Sequence, residues 1–133
     1  MTYVSIAAAI IVKLQTVTEL EQVFSHEPKE LAKFPCATVT ALSHVDTFAD
    51  TAANQRAFTF IIRLYFRTDV AQDAETILRN VADKVIAKIE SDVTLNGTCD
   101  FARPSEGKWL YQTREVPVRI VEVTIECLKR LNR

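Results

Sequence analysis

The sequence contains few of the residues on which common active sites are built. Only 2 glycines occur among its 133 residues, too few for a glycine-rich loop that binds phosphate. The 2 histidines, His26 and His44, lie far apart, and the carboxylates show neither calcium-loop spacing nor an acid–base pair. The sequence therefore predicts a protein that is not an enzyme, with no catalytic residue, bound metal or cofactor.

Cysteine is also scarce, and its spacing excludes two further classes of site. Cys36, Cys99 and Cys127 are odd in number and widely separated, which is typical of neither a disulfide framework nor a zinc site. Each lies in an apolar, strand-like pattern, so we expect buried free thiols in a reducing compartment. A small hydrolase that uses Cys36 with His44 stays an alternative, although no motif supports it and no third, orienting group can be named.

The charge balance and length limit the possible partners. A formal net charge of -1 gives no reason to expect binding to nucleic acid or to an acidic membrane surface. The apolar run at residues 4–12 is too short to span a bilayer. A chain of this length predicts one domain, residues 1–133, with a core that needs no metal or disulfide.

Two segments have the apolar periodicity of helices. In residues 3–24 the apolar side chains recur at helical spacing, which predicts a long first helix. The second pattern has an apolar stripe over residues 74–89, a possible cap at Asp69 and an end near Asp92.

Between these helices, the alternation of apolar residues predicts a hairpin. Residues 36–45 are rich in β-branched side chains, and residues 56–69 have one wholly apolar face. Residues 46–55 are polar without a regular pattern, and we expect them to form a long loop at the hairpin tip.

The C-terminal part predicts two more strands. Residues 98–103 form a short strand, residues 104–114 a polar loop, and residues 115–128 a long final strand. The alternation of the final strand slips between Ile120 and Val121, which predicts a β-bulge. The order α-β-β-α-β-β predicts an α+β fold, with about four mostly antiparallel strands and two main helices packed on one face of the sheet.

The second face of the strand at residues 56–69 is ambiguous. It presents Arg63, Tyr65 and Arg67, residue types that are enriched in protein interfaces. The same residues could form a solvated face, with the arginine stems lying over the tyrosine. The pattern favours neither interpretation.

Four segments, "FPCATVT", "FTFIIRLYF", "IESDVTLNG" and "VPVRIVEVTIEC", together resemble the tail-terminator and tail-completion proteins of long-tailed bacteriophages. The resemblance covers residues 3–128 and rests on the shape and order of the elements. It implies a structural virion protein at the head-proximal end of the tail. There, a hexameric ring of this chain would cap the tail tube, stop its polymerisation and offer a joining surface to the head-side connector.

Under this interpretation the partners are further copies of the chain, the tail-tube protein and the connector or neck protein, with no direct reading of nucleic acid and no membrane. Arg63, Tyr65 and Arg67 are the candidate subunit interface. The two loops are candidates for tube or connector contacts, through Asp46, Asp50, Asn54, Lys108, Trp109 and Tyr111. The alternatives are a neck completion protein of the same fold and a cytoplasmic small-molecule- or peptide-binding domain that uses the open face of the sheet.

Overall fold

The computed structural model describes residues 2–26, 28, 33–67, 74–113 and 117–132. Its elements, in chain order, are α1 (Thr2–Gln15), β1 (Gln22–Phe24), β2 (Cys36–Asp50), β3 (Ala53–Arg67), α2 (Ala74–Glu90), β4 (Phe101–Thr113) and β5 (Pro117–Asn132). The predicted α+β class and the order of the main elements are confirmed. The sheet has five strands rather than about four, because the short β1 adds to it.

The five strands lie in the order β1-β2-β3-β5-β4. Neighbouring strands are antiparallel except β1, which runs parallel to the start of β2. Both helices pack on the same face of this sheet, α1 over β1 and β2, and α2 over β3, β5 and β4. The core between the helices and the sheet is built from buried aliphatic and aromatic side chains, among them Ile6, Ile10, Leu14, Phe58, Phe60, Ile62, Leu78, Val85, Ile89, Val123 and Ile125.

Helix α1 is shorter than its periodicity predicts, and the extension to residue 24 is wrong. The helix ends at Gln15, where the Thr16 hydroxyl donates a hydrogen bond of 2.6 Å to the Lys13 carbonyl. This bond and the β-branched neighbours Val17 and Thr18 favour leaving the helix. Residues 22–24 form β1 instead, so their apolar side chains pack from a strand.

Both predicted loops are strands in the structure. The prediction of a hairpin loop at residues 46–55 is wrong, because β2 and β3 pair almost to their tip and leave only residues 51–52 between them. The loop at residues 104–114 is wrong over residues 104–113, which belong to β4, whereas residue 114 lies outside the described residues. These strands carry polar residues because they lie at or near sheet edges, where side chains remain in water.

The predicted β-bulge in the final strand is also wrong. β5 pairs with β3 in unbroken register from Val118 onward, through both Ile120 and Val121. The apolar phase changes because both faces are covered there: Val121 faces the helices, whereas Ile120 packs with Tyr65 on the opposite face. The register shifts of the sheet lie in β2 and β4 instead.

Helix α2 matches its predicted stripe and end, and a left-handed turn follows it. The buried stripe of α2 runs from Ala74 to Ile89, whereas the predicted cap, Asp69, lies outside the described residues. Leu95, Asn96 and Gly97 have positive φ angles of 47°, 58° and 80°. The Asp92 carboxylate accepts a 2.8 Å hydrogen bond from the Asn96 amide and so stabilises this left-handed exit.

Candidate assembly surfaces

The outer half of β2 exposes large apolar side chains. We call residues 41–50 the β2 arm. Leu42, Val45 and Phe48 are 62%, 63% and 65% exposed, and every residue from 41 to 49 is exposed. The arm lies at an edge of the sheet, because β1 covers β2 only at Cys36–Thr38 and no other described strand pairs with its outer side. A long edge strand with apolar side chains is a template for pairing with another chain.

Ion pairs hold the arm in place. Arg56 of β3 donates two hydrogen bonds to the Asp46 carboxylate, at 2.5 and 2.9 Å. Arg130 of β5 donates one of 2.5 Å to Asp50. The Arg56 contact keeps the pKa of Asp46 below its usual range, and the Arg130 contact does the same for Asp50. These contacts join the arm to β3 and β5, so it is formed before a partner binds, and binding to a preformed surface costs little ordering entropy.

Helix α1 presents a second uncharged surface on the same side of the molecule. Val4, Ala8 and Val12 are exposed and recur every four residues, so they form one stripe along the helix. The single charge of α1, Lys13, lies off this stripe and pairs with Asp92 at 3.2 Å. The sequence signal that could have found this surface is the absence of charged residues from residues 2–12 of the helix.

At the opposite edge of the sheet, Arg119 of β5 lies over two aromatic rings of β4. The Arg119 guanidinium lies 4.2 Å from the ring centroid of Tyr111 and 5.1 Å from that of Trp109. It also donates a 2.8 Å hydrogen bond to the Glu75 carboxylate. Trp109 is half-buried against the core, whereas Tyr111 is 73% exposed. Sequence reasoning selected the two aromatic residues as loop residues but missed the arginine that orients them on a strand.

The face of the sheet opposite the helices differs from its predicted role. Tyr65 is only 1% exposed, packed with Cys36, Val118 and Ile120 under Phe34, so in this conformation it offers no surface to a neighbour. Arg63, by contrast, is half-buried and donates a 2.6 Å hydrogen bond to Glu122 of β5. Arg67 is half-buried at the end of β3. A subunit interface at these three positions stays a prediction, but the arm and the β4 edge are better exposed.

The Arg63–Glu122 pair makes a prediction about stability. Because the two residues are directly opposite on neighbouring strands, Arg63→Glu would place two carboxylates against each other. We expect a loss of about 1 kcal/mol in the free energy of unfolding, measured by urea denaturation. The double variant Arg63→Glu/Glu122→Arg should recover most of that loss. A double variant no more stable than the single one would contradict the pairing.

The remaining predicted site residues lie on the two long edges. Asp46 and Asp50 lie on the β2 arm, and Asn54 lies at the start of β3, directly opposite Phe48. Lys108, Trp109 and Tyr111 follow one another along β4, so Lys108 points to the face opposite the two rings. The structure brings the three hairpin residues close together and the three β4 residues close together, but the two groups lie at opposite sides of the sheet.

The structure separates the residues of the hydrolase alternative. Cys36 is buried on the face away from the helices, opposite Tyr65, whereas His44 is exposed on the helix face, opposite Phe58. Eight residues along a strand correspond to about 26 Å, so the two cannot form a catalytic pair. His44 instead lies 2.7 Å from the Tyr3 hydroxyl, within hydrogen-bonding distance. In the described part of the chain, no group of three or more histidine, cysteine, aspartate or glutamate side chains could hold a metal ion.

No helix within the described ranges is long and apolar enough to cross a membrane.

Comparison with known proteins shows a shared fold. No protein-family model matches the sequence, and no curated protein matches it. Among solved structures, the chain is similar to a chain of the virion of a native gene transfer agent particle, with a TM-score of 0.51 and 13% sequence identity. The likeness covers 99% of this chain and 98% of that one. The likeness is one of fold along nearly the whole of both chains.

Proposed function

We propose that this chain is a structural protein of a virion, with an assembly role and no catalytic one. Two observations support this role. Its fold is shared, end to end, with a chain of a gene transfer agent virion. Among the described residues, an edge strand of its sheet exposes large apolar side chains.

Within that class, we propose the tail terminator: a ring, hexameric in the family that the sequence resembles, which caps the end of the tail tube. The observation that carries the proposal is the β2 arm, because three large exposed apolar side chains on an edge strand are costly in a protein that stays alone in water. A ring offers each subunit two different neighbours, so two unlike edges of one sheet can both be covered.

Capping requires complementary surfaces and no covalent chemistry. One face of the ring would match the last tube subunits, and the other would meet the head-side connector without accepting further tube protein. The hairpin tip, with Asp50 and Asn54, and the two ends of β4 lie at opposite edges of the sheet and could contact either partner. A neck completion protein of the same fold is the second candidate, since it would use the same ring-forming edges against different neighbours.

Assembly tests the proposal directly. We expect Val45→Lys/Phe48→Lys to prevent ring formation and tube capping while the monomer stays folded, because both side chains are exposed and charged edge strands resist pairing. Native mass measurement with tail-tube protein present, together with electron microscopy of tube lengths, would report the loss. The unsubstituted chain should stop tube growth, and the variant should leave tubes of uncontrolled length.

A matched control uses the same substitution elsewhere. Asn80→Lys and Ala87→Lys place two lysines on exposed positions of α2, outside both edge strands, and should leave capping intact. If the unsubstituted chain stays monomeric and leaves tube growth unchanged, the terminator role is wrong. The small-molecule- or peptide-binding alternative would then be favoured.

A further inference from the structure

The sheet ends in two long strands whose outer sides are not covered by a described strand. On one side, no described strand pairs with the outer side of β2 beyond Cys36–Thr38, where the pairing with β1 ends. On the other side, β5 is the one described strand that pairs with β4, over residues 101–113. The two strands are similar in length, 15 residues for β2 and 13 for β4. Their outward backbone groups need either water or another strand.

The directions of the strands fit one kind of partner. β2, β3, β5 and β4 alternate strictly in direction, so β2 runs opposite to β4. Copies related by rotation about an axis along the strands keep their strand directions. The β2 arm of one copy would therefore run antiparallel to β4 of the next, and the alternation would continue across the contact.

The charges of the two edges are complementary. The β2 arm carries Asp46 and Asp50 and no lysine or arginine. The β4 strand carries Arg103 and Lys108 against a single carboxylate, Glu106. Within the subunit Arg56 and Arg130 already pair with the two aspartates, and Glu126 pairs with Arg103, so only a residual charge preference remains. Two arms side by side would still bring carboxylates together, whereas an arm beside β4 brings them next to basic side chains. The charges therefore favour a contact between unlike edges.

We infer that a second copy of this chain occupies the β2 arm, pairing its β4 strand with the arm so that one sheet continues from subunit to subunit. The inference rests on the proposed ring and specifies how the ring closes. Exposed Leu42, Val45 and Phe48 would then be covered by side chains that flank β4 of the neighbour, including Tyr111. Helix α1, which carries the exposed stripe, packs over β1 and β2 and so lies on the same half of the sheet as the arm.

Cysteine cross-linking tests the contact, and strand alternation supplies its control. Val45 lies on the face away from the helices, since it is opposite Ala57, and so do Lys108 and Leu110 of β4. In the full-length chain, Val45→Cys mixed with Lys108→Cys or Leu110→Cys should give disulfide-linked dimers on oxidation. Val45→Cys mixed with Trp109→Cys or Tyr111→Cys should give several-fold less, because those side chains point to the helix face.

A chain that carries both cysteine substitutions gives a more specific test of the contact. Within one subunit the two strands are three strand spacings apart, about 14 Å, so an internal disulfide cannot form. Val45→Cys/Lys108→Cys should therefore give a ladder of linked chains up to the full ring. The three natural cysteines are buried, and the unsubstituted chain under the same oxidant provides the background.

The possible outcomes distinguish this inference from the proposed function. Dimers from Val45→Cys alone, as abundant as those from the mixture, would show pairing between two arms and overturn the inference. Rings that form and cap tubes without a ladder would overturn it too, while the terminator role stands. A chain that neither self-associates nor caps tubes contradicts both.

Discussion

Phe60→Ala is expected to destabilise the protein by about 3–5 kcal/mol, enough to unfold most of a marginally stable domain. Phe60 is 1% exposed at the centre of β3, with β2 and β5 on either side of it. Its ring lies 5.9 Å from that of Tyr3 of α1, so its loss leaves a cavity between sheet and helix. Circular dichroism during thermal or urea unfolding measures the change.

Phe48→Ala is the matched control, since it removes the same atoms from the same hairpin. Phe48 is 65% exposed, and its truncation should cost about 0.5 kcal/mol or less. The two variants should therefore separate folding from assembly: Phe60→Ala loses both, whereas Phe48→Ala keeps the fold and weakens ring formation. Equal destabilisation by the two variants would contradict the described core.

Arg119→Ala is expected to cost about 1–3 kcal/mol, because it removes a charge-assisted hydrogen bond and leaves two aromatic rings without their partner. The Arg119 side chain is only 15% exposed, whereas that of Glu75 is 35% exposed and partly screened by water. Arg119→Lys keeps the charge but cannot reproduce the planar stacking, so it should recover only part of the loss. Full recovery by lysine would show that the rings contribute little.

The dependence of this loss on pH is a second readout. The hydrogen bond from Arg119 lowers the pKa of Glu75 in the folded state. A lowered carboxyl pKa contributes stability above the unfolded value of about 4.3, and this contribution is lost as the pH falls through the folded value. The difference in unfolding free energy between the unsubstituted chain and Arg119→Ala should therefore be full near neutrality and shrink below about pH 4. A difference that stays constant into acid would mean that the stacking, not the ion pair, accounts for it.

The fold class could be predicted from periodicity, but the hairpin tip could not. The stripe of α2 and the apolar face of β3 repeat with clear periods because each is buried on one side only. In residues 46–55 no period appears, because the strands there are exposed on both faces or paired through side chains such as Asp46 and Arg56. The polar composition of this segment predicts a loop, whereas in the structure ion pairs across the strands stabilise a hairpin.

For a related reason, the sequence predicts only some of the residues of the candidate surfaces. Local alternation places Arg63 and Tyr65 on one face but does not show that Phe34, thirty residues away, lies over the tyrosine. Likewise, the sequence marks Trp109 and Tyr111 as candidate contact residues because they are aromatic. The contact of Arg119 with these rings follows only from the pairing of β4 with β5. Edge position is a property of the whole sheet, so the exposed arm at Leu42, Val45 and Phe48 could not be identified before the strand order was known.

The burial of Tyr65 divides the sheet into a protected end and an exposed end. Around Tyr65 side chains cover both faces, whereas at the arm neither face of β2 is covered. Amide hydrogens at the Tyr65 end should exchange with solvent only through global unfolding, and those of the arm through small local openings. Because a neighbouring strand would close those openings, assembly would add cooperativity at the weakest part of the monomer. The subunit would thus reach its full resistance to unfolding only within the assembled ring.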